Sequence, residues 1–378
     1  MDAAAPHTDG QHVAAQHASR LERTRAFMSG HALDALVVRE TADVRWLTGF
    51  EGVFDDERAH TAVVTAEAAR IHTDSRYATA MRMAAEGGVW DVDCEASLTP
   101  SSFARAALDG AEGMRIGIDA ATPLAEYRAL ERDLPDSELV ELADPLLSLR
   151  AVKDDGELAA LRRAQDIASA AFLATLSSLT PGRSERDVSW MLERQMRERG
   201  ADGLAFANIV ASGPNSANPH AQPAGRVLGR GDVVVFDFGA MKDGYRSDTT
   251  RVACIGEPAD EVRRVYAAVR DAHEEVARTL RPGATGREMH ELALSVLAES
   301  GLADVMGHSL GHGVGLDIHE LPVLGVKNDR PLEVGNVVTV EPGAYLPNRF
   351  GVRLEDCGVV TGCGWQSFCT LDHAIFEV

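Results

Sequence analysis

The sequence predicts a mixed α/β (α+β) protein of two domains, in which the C-terminal domain consists of two related halves. Three observations lead to this fold class. At 378 residues the chain is long enough for two hydrophobic cores. A strand-like segment with an acid occurs twice, as GDVVVFDFGA at 231–240 and as GNVVTVEPGA at 335–344. Before residue 146, helical and strand patterns alternate, which is typical of a smaller α/β domain.

The repeat extends on both sides of that segment, in the same order. Upstream, TPGRSERD at 180–187 matches RPGATGRE at 281–288, and each predicts a turn followed by a helix with a capping box. Downstream, YRSD at 245–248 matches VRLE at 352–355. Each half is therefore predicted to run helix, turn, helix and then a hairpin that carries acids. Two such halves predict a pseudo-two-fold axis, and their offset of 104 residues (335 minus 231) is too long for a solenoid repeat.

The sequence predicts a tail and two domains joined by a linker. Residues 1–16 predict a flexible tail, and residues 17–146 predict the smaller α/β domain. Strands of that domain are expected in ALDALVVRE, TAVVTAE, RIHTDSRY and MRIGIDAAT. A linker around Pro145 then leads to residues 152–378, which form the duplicated domain.

Four amphipathic helices are predicted in the duplicated domain. The first begins at Asp154, the second follows Ser184, the third spans residues 260–280 and the fourth follows Thr285. Apolar side chains recur at helical spacing in each, so one face is expected to pack in the core. The strands VVVFDFGA and YRSDTTRV flank an Asp-Gly pair at 243–244, which predicts a hairpin turn.

Composition excludes several classes of partner. The net charge of −21 argues against a nucleic-acid or anionic-membrane surface, because both need basic patches. No apolar run reaches the roughly 18 residues of a membrane span, and the N-terminal segment lacks the pattern of a secretory signal. The five cysteines form no CxxC pair and are odd in number, so free thiols in a cytoplasmic protein are expected rather than a disulfide framework.

Four acids in the two hairpins are the main candidates for chemistry. Asp237 interrupts an otherwise apolar strand, and Asp248 lies almost symmetrically across the hairpin turn, so their carboxylates are expected to share one site. Glu341 and Glu355 occupy matching positions in the second half. Buried carboxylates repel one another unless cations neutralise them. The alternative interpretation is a pair of exposed acids on a surface hairpin, which the apolar flanks of Asp237 disfavour.

A glycine-rich segment between the halves, HSLGHGVGLDIHE at 308–320, carries His308, His312 and His319. We expect this segment to be strand-like, with glycines that permit close approach of the backbone. Each histidine alone is more often structural, but three together beside carboxylates indicate a ligand for divalent cations. His220 follows the loop ASGPNSANP at 211–219, and without further context it is an incidental turn residue.

These segments resemble a known family. HSLGHGVGLDIHE resembles the signature of aminopeptidase P and prolidase, the proline-directed branch of the pita-bread metallopeptidases. FDFGA, YRSDTTR, VEPGAY and GVRLED resemble the family's other ligand segments in order and spacing, and ASGPNSANPH resembles the loop that precedes a catalytic histidine. RWLTGFEG and HTDSRY resemble parts of its creatinase/prolidase-type N-terminal domain. The likeness covers nearly the whole chain, apart from the first residues and the closing segment GWQSFCTLDHAIFEV.

The resemblance implies a C-terminal pita-bread domain that holds two divalent metal ions. Asp248 and Glu355 would bridge the ions, Asp237 would complete one of them, and His312 and Glu341 would complete the other. The family's preference implies Mn(II), although Co, Zn or Fe also suit these ligand types.

The resemblance further implies a mechanism in which a metal-bridging hydroxide attacks the bond that precedes proline. Glu341 would accept and later deliver the proton, and His220 and His319 would hydrogen-bond the substrate carbonyl and the tetrahedral intermediate. His308 would line the same pocket, and Arg353 would orient Glu355 or bind substrate.

Short proline-containing peptides are the expected partners, and a homodimer is the expected assembly. The resemblance does not separate a dipeptidase from an aminopeptidase P, because the loops that distinguish their substrates carry no decisive element here. Two further hypotheses remain: a metal-dependent hydrolase of a small modified amino-acid amide, and a non-catalytic binding protein on the same scaffold. The complete ligand set disfavours the second of these.

Overall fold

The computed structural model describes residues 8–55, 57–109 and 112–378, and for residues 8–18 it describes the backbone alone. The chain divides into two compact units, Met1–Arg150 and Ala151–Val378. Within the described ranges, no helix is long and apolar enough to cross a membrane. The five cysteines are free thiols, of which Cys254, Cys357 and Cys369 are buried.

The first unit is a six-stranded mixed sheet with helices, as the alternating pattern predicts. The strands lie in the order β4-β3-β2-β1-β5-β6, with antiparallel pairing of β1–β2 and β2–β3 and parallel pairing elsewhere. The elements are α1 (Thr8–Gly30), β1 (Ala35–Val38), α2 (Thr41–Thr48), β2 (Thr61–Thr65), β3 (Ala69–His72), α3 (Ala78–Ala85), β4 (Asp91–Asp93), α4 (Pro100–Ala107), β5 (Arg115–Asp119), α5 (Leu124–Asp133), β6 (Glu138–Leu142) and α6 (Leu147–Arg150).

Two segments of this unit differ from the sequence-based expectation. Of the predicted flexible tail, residues 1–7 lie outside the described residues, whereas residues 8–16 belong to helix α1. That stretch contains alanine and glutamine but no proline, so a helix that begins further along the chain can extend back through it. The predicted linker contains the short helix α6, which begins two residues after Pro145.

The second unit contains the four predicted helices, all four begin where predicted, and three of them have a capping box. Asp154, Ser184 and Thr285 are N-caps whose side chains accept a hydrogen bond from the backbone three residues later, with the reciprocal bond present in each case. The elements are α7 (Asp155–Leu176), α8 (Glu185–Glu198), β7 (Gly203–Leu204), β8 (Ile209–Ser212), β9 (Val233–Phe238), β10 (Ala240–Lys242), β11 (Tyr245–Arg246), β12 (Thr249–Cys254), α9 (Asp260–Thr279), α10 (Gly286–Glu299), β13 (Gly311–Gly313), β14 (Glu320–Leu324), β15 (Val337–Val340), β16 (Gly343–Leu346), β17 (Phe350–Arg353), β18 (Glu355–Thr361), β19 (Gly364–Ser367) and β20 (Phe376–Glu377).

The main sheet of this unit has the predicted pseudo-two-fold arrangement. Its strands lie in the order β14-β13-β15-β18-β12-β9-β8, with β19 beside β18 and β20 beside β12. The pair β9 and β12 from the first half therefore corresponds to the pair β15 and β18 from the second. The two halves meet where β12 pairs with β18. This contact matters because the predicted acids lie at the ends of these four strands.

Two hydrophobic clusters support the sheet, one for each pair of helices. Valines of β9 and β12 pack with α9 and α10, whereas Phe236 and Phe238 of β9 pack with α7 and α8. The ring of Phe172 in α7 lies 5.4 Å from that of Phe236 and 5.0 Å from that of Phe238. Burial of such aromatic and valine side chains is the main source of stability, and it holds the strand ends in place.

Candidate metal centre

A cavity of about 900 Å³ in the second unit brings together the nine site residues predicted from the sequence. They come from strands of both halves, from positions next to strand ends and from three loops. They are His220, Asp237, Asp248, His308, His312, His319, Glu341, Arg353 and Glu355.

The register of the sheet explains why the four acids meet. Asp237 pairs with Thr250, and Thr250 on its other side pairs with Glu355, so these three residues form one row across the strands. Side chains in one row lie on the same face of a sheet. Asp248 precedes Thr250 by two residues, and its carboxyl also lines the cavity. The expected symmetry of Asp237 and Asp248 about the turn is therefore shifted by two residues.

The second half supplies its acids in the same way. The pairing of Val340 with Asp356 continues toward Glu341 and Glu355, the next residues at that end of β15 and β18. Asp237, Asp248 and Glu355 are all buried, and the Glu341 side chain is 16% exposed. The hydroxyl of Thr339 donates to Glu341 Oε1 at 3.2 Å. The duplication thus delivers two acids from each half to the same face of the sheet.

His312 is placed on β13 with its ring toward the acids. Its Nε2 lies 3.5 Å from Asp248 Oδ2 and 3.4 Å from Glu341 Oε1. Its Nδ1 donates to the carbonyl of Gly313 at 3.0 Å. The proton on Nδ1 leaves the Nε2 lone pair free for a metal ion, and a carbonyl partner of this kind is the usual support for a histidine ligand.

The histidine segment is less regular than predicted. Only Gly311–Gly313 and Glu320–Leu324 are strands, and the residues between them form a turn. This turn brings the His319 ring to 4.4 Å from the His312 ring, in an edge-to-face arrangement. His308 precedes the first strand, and His220 lies in the loop after the 3₁₀ helix Gly213–Ala217.

The glycines of this segment are required by close backbone contacts. A Cβ on Gly311 would lie 2.1 Å from the carbonyl oxygen of Thr339, far inside van der Waals contact. We expect Gly311→Ala to push β13 away from β15, to lower the stability by about 1–3 kcal/mol, and to weaken metal binding by roughly 10- to 100-fold through displacement of His312. Thermal unfolding and metal titration measure the two effects.

Gly225→Ala is the matched control for that prediction. A Cβ on Gly225 would have no heavy atom within 4 Å. This variant should melt and bind metal like the unaltered protein. If Gly311→Ala behaved in the same way, the close packing of β13 against β15 would be contradicted.

Arg353 lies among the acids and donates hydrogen bonds to Asp237, Thr250 and Tyr345. Its Nη2 contacts Asp237, its Nε donates to Thr250 Oγ1 at 2.9 Å and its Nη1 donates to Tyr345 OH at 2.7 Å. Thr250 in turn donates to Glu355 Oε2 at 2.6 Å. Arg353 therefore contacts Asp237 directly and reaches Glu355 through Thr250, an arrangement that is compatible with the predicted role of orienting Glu355.

Two residues of this network were missed by sequence reasoning. Tyr345 OH accepts from Arg353 and lies 3.1 Å from Nε2 of His308. Because His308 Nδ1 contacts the carbonyl of Ser309 at 2.7 Å, Nδ1 carries the proton and Nε2 accepts from the tyrosine. Tyr345 lies in the segment VEPGAY and Thr250 in YRSDTTR, so position within the matched segments was the available signal.

The electrostatics of the site favour a bound cation. Burial raises the pKa of Asp237, Asp248, Glu341 and Glu355, and the mutual repulsion of the acids adds to the rise for Asp248 and Glu355. Burial lowers the pKa of His312, which favours the neutral ring that binds metal. Asp237 Oδ1 is buried without a hydrogen-bond partner among the residues that the structure describes.

These features fit divalent metal ions. Ligand atoms of Asp248, His312 and Glu355 lie within 4.8 Å of one another, a spacing that one cation can span. Asp237 and Glu341 flank this group, and Asp237 Oδ1 offers an uncommitted acceptor. Carboxylate oxygens with one imidazole suit hard or borderline divalent cations.

The cavity also has an apolar wall, which sequence reasoning did not identify. Phe206, Ile209, Ile318 and Val323 are among the side chains that line the cavity. They come from two stretches of the chain, 206–209 and 318–323, that are more than 100 residues apart, so no local pattern marks them. Such a wall beside polar groups is typical of a site for a small organic ligand.

Comparison with known proteins gives matches over both units. The model of metallopeptidase family M24 matches residues 159–362, and that of the Creatinase/Prolidase N-terminal domain matches residues 20–152. An uncharacterized peptidase of Bacillus subtilis, YqhT, is 36% identical over 95% of this chain and 99% of its own length. An Xaa-Pro dipeptidase structure from Bacillus anthracis matches with a TM-score of 0.88 and 33% identity, covering 96% of this chain and 100% of that one. An X-Pro aminopeptidase structure from Thermotoga maritima matches with a TM-score of 0.85 and 33% identity, covering 95% and 100%.

Proposed function

This chain belongs to metallopeptidase family M24, and from that premise we propose that it hydrolyses the Xaa-Pro bond at the N-terminus of short peptides with the aid of two divalent metal ions. The family resemblance noted from the sequence is thereby confirmed, and the chain is a peptidase of the prolidase type. The observation that carries the proposal is the convergence of all five expected ligands in one cavity with an apolar wall.

The proposed ligand assignment follows the positions of the acids. Ligand atoms of Asp248 and Glu355 lie within 4.8 Å of each other, near the contact of β12 with β18, which supports the proposal that both acids would be shared by the two ions. Asp237, with its uncommitted Oδ1, would complete one ion, and His312 and Glu341 would complete the other. When bound, the ions would polarise the scissile carbonyl and lower the pKa of a water nucleophile.

The remaining residues would position substrate and move protons. Glu341 is less buried than the other acids, and Thr339 holds one of its oxygens, so it is suited to accept a proton and deliver it to the leaving nitrogen. His220 and His319 lie on the exposed side of the cavity, where they would hydrogen-bond the carbonyl and the developing oxyanion. His308, held by Tyr345, lines the same cavity.

Arg353 is proposed as a positioning residue for this reaction. It holds Asp237 directly and Glu355 through Thr250, so it would set the orientation of a ligand on each side of the centre. Its positive charge also offsets part of the negative charge of the acids, for which burial and repulsion raise the pKa.

Substrate length is the open part of the proposal. The two structures compared above are named a dipeptidase and an aminopeptidase, at equal identity to this chain. A dipeptidase must enclose the proline carboxylate, and an aminopeptidase must leave room for more residues. In both cases the apolar wall near Ile318 and Val323 would accept the proline ring.

The test is hydrolysis of the dipeptide Ala-Pro and the tripeptide Ala-Pro-Ala, side by side in manganese, with Ala-Ala-Ala as the control. Cleavage of Ala-Pro alone is expected from a dipeptidase. Release of alanine from Ala-Pro-Ala is expected from an aminopeptidase P, and neither enzyme should cut the control. If the metal-loaded protein cuts neither proline peptide, the Xaa-Pro assignment fails and small modified amino-acid amides become the substrates to screen.

Three finer parts of the proposal concern the metal, the assembly and the location. We propose manganese as the physiological metal, because four of the five ligands are carboxylates. We propose a homodimer, which light scattering would measure. A cytoplasmic location is consistent with the free thiols.

A further inference from the structure

A second cluster of metal-ligating side chains lies outside the catalytic cavity. His273 of helix α9, Asp356 of strand β18 and His373 of the closing segment offer ligand atoms within 4.8 Å of one another. None of the three lines the cavity described above. His373 belongs to GWQSFCTLDHAIFEV, the segment for which the sequence showed no family likeness.

The three side chains converge on one carboxylate oxygen. Oδ2 of Asp356 lies 3.0 Å from Nε2 of His373 and 3.9 Å from Nε2 of His273. Two atoms bound tetrahedrally to one zinc ion at its usual bond lengths are separated by roughly 3.3 Å. The observed separations bracket that value, so small side-chain adjustments would place all three atoms around one ion.

His273 is the strongest sign that something is bound there. Its side chain is fully buried at 0% exposure. Neither of its ring nitrogens has a hydrogen-bond partner within the part of the chain that the structure describes. A buried imidazole without partners is costly, because it has lost hydration and gained no hydrogen bond in return. A metal ion at Nε2 would remove that cost on the side that faces Asp356.

The surroundings hold the other ligands in the manner of a metal site. Arg251 donates to Oδ1 of Asp356 at 2.7 Å, which fixes the carboxylate and leaves Oδ2 toward the histidines. Nδ1 of His373 lies 3.6 Å from Oε1 of Glu274, so the nitrogen opposite to its ligand atom faces a carboxylate. A carboxylate behind a histidine is the usual support for a zinc ligand.

The cluster is separated from the catalytic centre by the strand itself. Glu355 and Asp356 are neighbours on β18, so their side chains point to opposite faces of the sheet. Glu355 pairs in register with Thr250 and lines the cavity, whereas Asp356 pairs with Thr249 and contacts Arg251. An ion at Asp356 would therefore occupy a distinct site.

We propose that His273, Asp356 and His373 bind one Zn²⁺ ion, with water as the fourth ligand on the side of His373, whose side chain is 30% exposed. Two imidazoles and one carboxylate are typical zinc ligands. The ion joins the closing segment to helix α9 and to the strand that carries Glu355. Its role is structural, because two of its three protein ligands, His273 and Asp356, are buried inside the unit that the ion would tie together.

The first experiment counts zinc in four proteins: the unaltered chain, His373→Ala, Asp248→Ala and the double variant. Each is stripped with a chelator, reloaded with Zn²⁺, passed through gel filtration and analysed by mass spectrometry. His373→Ala should bind one zinc fewer per chain, both alone and in the Asp248→Ala background. Its Xaa-Pro hydrolysis should remain unchanged, since His373 does not touch the cavity. The exposed His31 provides the control variant His31→Ala, which should bind as much zinc as the unaltered chain.

The proposal is overturned if His373→Ala binds as much zinc as the unaltered chain. That result is expected if hydrogen bonds alone hold the three side chains together. Loss of zinc in Asp248→Ala without further loss in the double variant has the same meaning. Failure of the catalytic proposal would instead appear as undiminished zinc binding in Asp248→Ala. If His373→Ala does not fold, anomalous diffraction at the zinc edge on the unaltered chain decides, because the proposal requires a peak between His273 and His373.

Discussion

Replacing Asp248 by alanine is expected to abolish Xaa-Pro hydrolysis and to remove most of the bound metal from the catalytic cavity. Asp248 is buried at the contact of the two halves, and its Oδ2 faces His312 at 3.5 Å. Metal-centred stabilisation of charge is worth several kcal/mol, and about 1.4 kcal/mol corresponds to a factor of ten, so the rate should fall by roughly 1,000-fold or more. Peptide hydrolysis and metal analysis of the purified variant measure both effects.

The same variant should not be less stable in the absence of metal. Burial and the neighbouring acids raise the pKa of Asp248, which means that its ionised form is unfavourable in the folded protein. Removing that carboxyl relieves repulsion with Glu355. Equal or higher thermal stability of the metal-free variant would therefore separate a lost ligand from a folding defect.

Asp271→Ala is the matched control, since it makes the same change at an exposed position of helix α9. It should retain full activity and metal. If Asp248→Ala also kept its metal and its activity, the proposed bridging position of Asp248 would be abandoned.

Removal of the metal is expected to destabilise the protein in a manner that depends on pH. The pKa of Asp237, Asp248, Glu341 and Glu355 is raised in the metal-free fold, so the folded state binds more protons than the unfolded state. The stability of the metal-free protein therefore falls as the pH rises above about 4, the ordinary pKa of these groups. Bound cations favour the ionised acids and reverse the effect.

The measurement is thermal unfolding at pH 5 and pH 8, with manganese and with a chelator. At pH 8 the melting temperature of the metal-free form should be about 10 °C or more below that of the manganese-loaded form, because desolvation of buried charge costs several kcal/mol. At pH 5 the difference should be smaller, since protons replace the cations on some of the acids. If the difference in melting temperature between the loaded and metal-free forms were the same at pH 8 as at pH 5, repulsion among the buried acids would not be its cause.

The same measurement on His373→Ala separates the catalytic acids from the proposed zinc site, since the chelator would remove metal from both. In His373→Ala the stability lost at pH 8 should still include the contribution of the catalytic acids. A pH dependence that is smaller in Asp248→Ala but unchanged in His373→Ala would assign it to the catalytic cavity.

Much of the candidate site was predictable because duplication leaves a strong trace in the sequence. The segments around Asp237 and Glu341 match residue by residue, and both acids prove to lie at strand ends that face one cavity. The capping boxes at Ser184 and Thr285 likewise marked the starts of α8 and α10. Such features depend on residue type and on spacing over a few positions, which is the range in which backbone geometry follows local sequence.

Other features were not predictable because they depend on contacts between distant segments. Arg353 was predicted to orient Glu355, two residues away, or to bind substrate, and the sequence contained no sign of its contact with Asp237, which is 116 residues away. Arg353 ends β17 and Glu355 begins β18, and only the pairing of β12 with β18 decides that Thr250 lies between their side chains. The apolar wall and the role of Tyr345 have the same origin.

By itself, the sequence determined the two-part α/β fold, the duplicated halves, the starts of four helices in the second unit and the residue types of the proposed metal ligands. These follow from periodicity, capping and repetition, which are properties of neighbouring residues. Only the tertiary structure decided the strand register, the Arg353 network and the meeting of His273, Asp356 and His373. These contacts form where elements far apart in the chain pack together to bury apolar surface. Because the hydrophobic effect is non-directional, the local sequence does not specify which distant side chains will meet.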